Sequence, residues 1–193
     1  CGVYEPLPSA DQRRPVQGRR TGRRDHLAAR DLRVERVQTG DGSWTLRDLD
    51  RGITFRSVHG AATESDHVFV EPSGVLDVRA GSTWRVLELG FGAAMNFHRT
   101  RLCAAEQGLD LHYVALERAP VASDEISHDS TTDRLVRAAF ARRVVDEDGV
   151  RLDVIESDWQ EHPLIDGRFD AVYHDPFGPQ DNPEAWTVGC FRW

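Results

Sequence analysis

Lysine is absent from these 193 residues: all 24 basic side chains are arginine, a bias of overall composition rather than of any one site. Cysteine is scarce as well. Cys1, Cys103 and Cys190 are odd in number and far apart, which excludes a disulfide framework or a paired-cysteine metal knuckle and predicts free thiols and no metal. No apolar stretch approaches the roughly 18 to 20 residues needed to cross a bilayer, and no basic-then-apolar leader opens the chain. These absences predict a cytoplasmic protein with no membrane partner. A formal net charge of −8 excludes indiscriminate binding to nucleic acid, which needs a basic surface to displace counterions, but leaves room for a small basic patch. An initiator methionine is missing too, so the start at Cys1 reads as a fragment. Oligomeric state leaves no trace in the sequence.

What is present divides into three parts. Residues 1–32 hold Arg13-Arg14, Arg19-Arg20 and Arg23-Arg24 among Pro, Gly and Gln with little apolar periodicity, and read as a flexible extension or a basic arm touching RNA. Residues 33–80 form an N-terminal β-hairpin and helix element. "VERVQTGDGSWTLRDLDRGITFRS" alternates apolar and polar positions around Gly40-Asp41-Gly42, a hairpin signal, and "GAATESDHVFVEPSG" (60–74) predicts a short helix with Thr63 as its N-cap. Residues 81–193 are the larger unit. "WRVLELG" (84–90), "LHYVALE" (111–117), "VRLDVIESD" (150–158) and "FDAVYHDPF" (169–177) read as strands, and "AAMNFHRTRLCAAEQG" (93–108) as a helix closed by Gly108. "TTDRLVRAAFARRVV" (131–145) reads as another helix, with Leu135, Val136, Ala139 and Phe140 on one face. Strands alternating with helices predict an α/β domain with a doubly wound, mostly parallel sheet. Only "TVGCFRW" follows the last motif, so the domain is expected to be incomplete at its C-terminus.

Ligands of an open parallel sheet bind at the carboxyl ends of its strands, so those ends carry the candidate chemistry. The first ends in Glu88, Gly90 and Gly92, a turn that either admits a cofactor to the backbone or is simply tight; Met95 stands where a dinucleotide fingerprint has its third glycine. Glu117 ends the second strand, where a carboxylate can accept both hydroxyls of a ribose or merely face solvent. After the third, Asp158 can accept from an adenine amino group and Trp159 can cover the ring. The fourth ends in Asp175-Pro176-Phe177, which either is a plain turn or resembles, one proline short, the Asn/Asp-Pro-Pro-Tyr/Phe tetrapeptide of amino-group methyltransferases. That resemblance implies that Asp175 holds the N–H groups of an amine with the nitrogen lone pair toward a methyl donor and that Phe177 stacks on a base, while Pro176 stiffens the turn. His174, its neighbour on a strand, points to the opposite face and reads as a packed histidine.

The segments "DGSWTLRD", "HGAATESDHVFVE", "VLELGFGAAMNF" and "FDAVYHDPFGPQDNPEAW", in that order, resemble the methyltransferase domain of the bifunctional bacterial tRNA-modifying enzyme MnmC and its stand-alone MnmD-type relatives. The resemblance runs from about residue 38 to the C-terminus. It implies a Rossmann-like class I fold that binds S-adenosylmethionine and methylates the aminomethyl nitrogen of the modified wobble uridine in tRNA, giving 5-methylaminomethyl-2-thiouridine. On this mapping Glu88, Gly90, Gly92 and Asn96 surround the methionine end of the cofactor, Glu117 holds the ribose, and Asp158 with Trp159 holds the adenine. His59, Glu64 and Ser65 match a motif that closes over the cofactor. Asp175 and Phe177 address the target amine and base, with Pro176, Asn182, Pro183 and Trp186 shaping the adjacent loop. The chain departs from the family's E-x-G-F-G-T-G-x-N-F turn at Ala93, Ala94 and Met95.

The acceptor is an alkylamine, protonated near ~10 by analogy with lysine, so the site must admit or create the free amine. An aspartate with an ordinary pKa of about 4 is a poor base for that proton, so Asp175 is suited to orienting the nitrogen rather than deprotonating it. Two other readings share these motifs: an aminopropyltransferase or small-molecule amine methyltransferase, and a truncated, inactive module that only binds S-adenosylmethionine.

Overall fold

Thr83–Leu89 alternates its side chains so that Val86 and Glu88 enter one side of a sheet while Leu87 and Leu89 enter the other, and nearly all are buried. A strand apolar on both faces belongs at the centre of a covered parallel sheet. The computed structural model, which describes residues 32–160, 162 and 167–192, places it there. After the hairpin strands β1 (Val34–Gln38) and β2 (Trp44–Asp48), this central strand is β3. It pairs in parallel with β4 (Asp110–Glu117) on one side and β7 (Ala171–His174) on the other. Beyond β4 lie β6 (Val150–Glu156), parallel, and β5 (Val144–Glu147), antiparallel, giving the order β5-β6-β4-β3-β7. The chain therefore winds outward from β3 through β4 to β6, then returns to the other side of β3. That reversal is the switch point of a doubly wound sheet, and it puts the ends of β3 and β7 side by side.

Helices α2 (Met95–Gln107) and α3 (Ser130–Arg142) supply Phe97, Leu135, Val136 and Ala139 to the apolar cluster on the Val86 face. The opposite cluster packs Leu87, Leu89, Val114 and Leu116 against Trp159, Ala185 and Cys190. Gly108 closes α2 in the left-handed conformation, φ 66°, as the sequence predicts.

Three expectations need correction. The helix expected over 131–145 stops at Arg142: Arg143 takes φ 67°, and Val144 and Val145 begin β5. Asp148 and Gly149, both at positive φ, turn the chain into β6, the Asp-Gly signature of a two-residue hairpin. Thr63 is also not a cap. The helical run begins with α1 (Ala61–Ser65), whose N-cap is Gly60. Its free N–H groups are met from the β1–β2 turn instead: Ala61 donates to Thr39 Oγ1 at 3.3 Å, Ala62 to Ser43 Oγ at 3.0 Å and Thr63 to Asp41 Oδ2 at 2.9 Å. Lastly, the short helix expected over 60–74 is a compound run, in which a wide turn at Asp66–Val70 and a tight one at Glu71–Ser73 follow α1. The arginine-rich extension lies outside the described residues.

Candidate active site

The reversal brings Asp175 against the glycine turn. Its amide donates to Leu89 O at 2.9 Å, and its carbonyl lies 2.7 Å from where a Cβ on Gly90 would sit. Gly90, at φ 94°, is thus required by the protein's own backbone, not only by a ligand. Gly92 has φ 52° and would set a Cβ 3.2 Å from the Phe55 ring. Ala94, at the usual glycine of the turn, is fully buried yet takes φ 61°, a strained conformation for a residue with a side chain.

Beneath the turn runs a continuous polar network. Asn96, in the first turn of α2, donates from Nδ2 to Glu88 Oε1 at 2.7 Å and to Asp175 Oδ2 at 3.0 Å, and accepts from Ser65 Oγ at 2.6 Å. Tyr113 on β4 donates to the other Glu88 oxygen at 2.9 Å. Glu88 is completely buried, and burial pushes its carboxyl up to about 8 although Asn96, Arg56 and Tyr113 favour the charged form. Tyr113 is driven well above its ordinary range by the same burial and by Glu88.

Sequence reasoning missed Arg56. Its buried guanidinium pairs with Asp175, reaches Glu64 Oε1 at 3.2 Å and stacks over Phe69 at 5.0 Å. Glu64 uses its other oxygen to accept the Ser57 amide at 2.7 Å, so the carboxylate anchors the loop carrying Arg56. No local pattern could have revealed Arg56, because its partners lie 8 and 119 residues away. His59 remains exposed on that loop.

Phe177 sets its ring edge-on to Phe55 at 5.2 Å, with the Arg51 guanidinium 5.8 Å from its centre. Its carbonyl accepts from Trp186 Nε1 at 2.9 Å, which ties the Pro176 turn to the short helical turn Pro183–Trp186. Asn182 stands at the N-cap position of that turn without a side-chain capping bond, its amide facing the Glu184 carboxylate at 2.9 Å. His174 donates from Nε2 to Ala185 O at 2.9 Å and packs edge-on against Trp159 and Trp186, on the side of the sheet away from Asp175.

Glu117 accepts from Gly92 N at 3.0 Å and Ala119 N at 2.8 Å, one bond on each oxygen. A carboxylate has about four acceptor positions, so capacity for two hydroxyls remains. Asp158 accepts from Gln160 N at 3.0 Å, and Arg118 lies 3.6 Å away. Trp159 is buried in the second apolar cluster, with its ring edge-on to His174. The acidic groups and the left-handed turn suit the methionine and ribose ends of S-adenosylmethionine. Among the described residues no His, Cys, Asp and Glu cluster is placed to hold a metal ion, and no helix is long and apolar enough to cross a membrane.

Comparison with known proteins converges on this architecture. Residues 122–192 match the model of a family described as S-adenosyl-L-methionine-dependent methyltransferase. The chain is 29% identical over 178 residues to the tRNA 5-methylaminomethyl-2-thiouridine biosynthesis bifunctional protein MnmC of Pseudomonas fluorescens strain Pf0-1, covering 77% of this chain and 26% of that protein. It is 34% identical over 158 residues to the MnmC of Paracidovorax citrulli, covering 69% and 24%. The crystal structure of MNMC2 from Aquifex aeolicus superposes with a TM-score of 0.69 at 25% identity, over 84% of this chain and 55% of that one. The chain thus spans about a quarter of the length of these MnmC relatives.

Proposed function

We propose that this chain, similar in sequence and fold to the methyltransferase region of MnmC proteins, carries an S-adenosylmethionine-dependent site that methylates the 5-aminomethyl nitrogen of a modified wobble uridine in tRNA. The product is 5-methylaminomethyl-2-thiouridine. The observation that carries the reading is the meeting of Asp175, Phe177 and the Gly90 turn at the switch point, which sets an amine acceptor and an aromatic platform beside the glycine turn.

S-adenosylmethionine, when bound, supplies a sulfonium methyl that an amine nitrogen takes by in-line displacement with release of a neutral thioether. Glu117 would accept the ribose hydroxyls, and Asp158 the adenine amino group. Asn96 and Glu88 lie under the turn and fix Asp175 from below, so that the carboxylate is oriented before substrate arrives. Phe177 offers its ring to the base, with Trp186 holding the carbonyl of the same residue.

Calorimetric titration of the protein with S-adenosylmethionine tests the cofactor half of this reading. Saturable one-site binding is expected, and its absence would sink the proposal. Binding without transfer to tRNA lacking the final methyl group would identify a binding module instead.

A further inference from the structure

The Asp175 carboxylate is shared between a buried cation and the open end of the sheet. The Arg56 side chain is 6% exposed and that of Asp175 20%. Among the described residues, the hydrogen bonds to the carboxylate, from Arg56 Nη2 and Asn96 Nδ2, both fall on Oδ2, which leaves Oδ1 to accept an N–H from a ligand.

An alkylammonium, with a pKa near ~10, must lose its proton before its nitrogen has a lone pair to give. An unpaired carboxylate beside it would oppose that loss, since an opposite charge within about 4–6 Å favours the charged form by about 1 to 3 pKa units. Building on the methyltransferase reading above, we propose that Arg56 is a positioning residue: by pairing with Oδ2 of Asp175 it offsets the carboxylate's hold on the ammonium, so the acceptor amine is delivered neutral while Oδ1 still orients it.

The other ionisable groups around this carboxylate are consistent with that role. Arg51 lies over Phe177, Glu64 pairs with Arg56, and Glu117 closes the glycine turn. Glu88, reached through Asn96, is fully buried, and its carboxyl is pushed up to about 8, so at neutral pH it adds little negative charge. Burial likewise holds Tyr113 and Tyr173 in their neutral forms. Arg56 is the cation that, among the described residues, bonds Asp175 directly.

The test compares Arg56→Gln, Arg56→Lys and Glu64→Gln in methyl transfer to aminomethyl-bearing tRNA between about pH 6 and 10. With Arg56→Gln the rising limb of kcat should move up by about one pH unit or more, so that kcat near pH 7 falls about tenfold and recovers in alkali while KM does not rise. Glu64→Gln, which strengthens the net positive field, should move the limb down, and Arg56→Lys should leave it in place. Without cofactor, Arg56→Gln should bind aminomethyl-bearing tRNA more tightly than wild type near neutral pH and bind tRNA with plain uridine equally well. A uniform loss of kcat at every pH with an unmoved limb would overturn the proposal. If Arg56→Gln does not fold by thermal melt, an unmoved limb in Glu64→Gln overturns it instead. Absence of transfer by wild type at any pH would be a failure of the methyltransferase reading itself, seen before any variant is made, and the inference would fall with it.

Discussion

Replacing Glu88 by Gln should remove most of the pH dependence of this protein's stability in the neutral range. The carboxyl is fully buried between Asn96 and Tyr113, and burial lifts it from an ordinary 4.5 to about 8. Between those values the folded protein keeps a proton that the unfolded chain has released, so raising the pH pulls the equilibrium toward unfolding. Each unit costs about 1.4 kcal/mol, and the whole window on the order of 5 kcal/mol. Stability contributed by the protonated group is therefore complete below about pH 4.5 and lost as the pH climbs through 8. Glutamine keeps the shape and the bond from Asn96, carries no charge at any pH, and should give a nearly flat profile above about pH 6.5, where His98, His128 and His174, all held below their ordinary range by burial, no longer titrate. Urea denaturation at half-unit steps from about pH 6.5 to 9 measures both curves. Wild type should lose stability progressively while Glu88→Gln does not. Parallel curves for the two proteins would refute the reasoning.

Gly90→Ala would force a side chain into φ 94° and place a methyl 2.7 Å from the Asp175 carbonyl, which is backbone and cannot swing aside. The left-handed conformation alone costs about 1–2 kcal/mol, so a melting temperature lower by roughly 5 °C or more is expected by calorimetry. Asp41→Ala removes the acceptor for Thr63 N and Oγ1 and for Ser43 N, and should cost about 1–2 kcal/mol in chemical denaturation. Burial opposes the Asp41 charge, but hydrogen bonds from Ser43, Thr39 and Thr63 outweigh it and hold the carboxyl below the ordinary range. Its contribution is present above about pH 4 and fades in acid, so wild type and Asp41→Ala should converge there.

Strands β3 and β4 are legible because a strand buried on both faces writes itself as an apolar run, β6 because buried Leu152 and Val154 alternate with Arg151 and Asp153, and β7 as a short apolar run with Tyr173 buried and Val172 exposed; the order of strands and helices implies the parallel sheet. Strand β5 is not, since Val144 and Val145 continue the apolar face of α3 and only the positive φ of Arg143 separates them. The Asp148-Gly149 dipeptide carried the signal for this hairpin. Asp175, Glu88 and Gly90 are legible as candidates by their places at strand ends and Asn96 through the family resemblance alone, and the structure brings them into one network. The packing of Trp159 against His174 is not legible, because an aromatic at a strand end packs as readily inward as over a ligand. Arg56 is beyond any local pattern: an isolated arginine after a hairpin acquires its meaning only when the chain returns 119 residues later.

The role proposed for Asp175, orienting an amine of tRNA for methylation, is measured most directly by nucleoside mass spectrometry of tRNA from a strain lacking the modification, after incubation with S-adenosylmethionine and either wild type or Asp175→Ala. Wild type should convert the aminomethyl nucleoside to its methylaminomethyl form, and the variant should do so about 100-fold more slowly with cofactor binding intact. Equal conversion by both proteins, or methylation of any other nucleoside, would contradict the account.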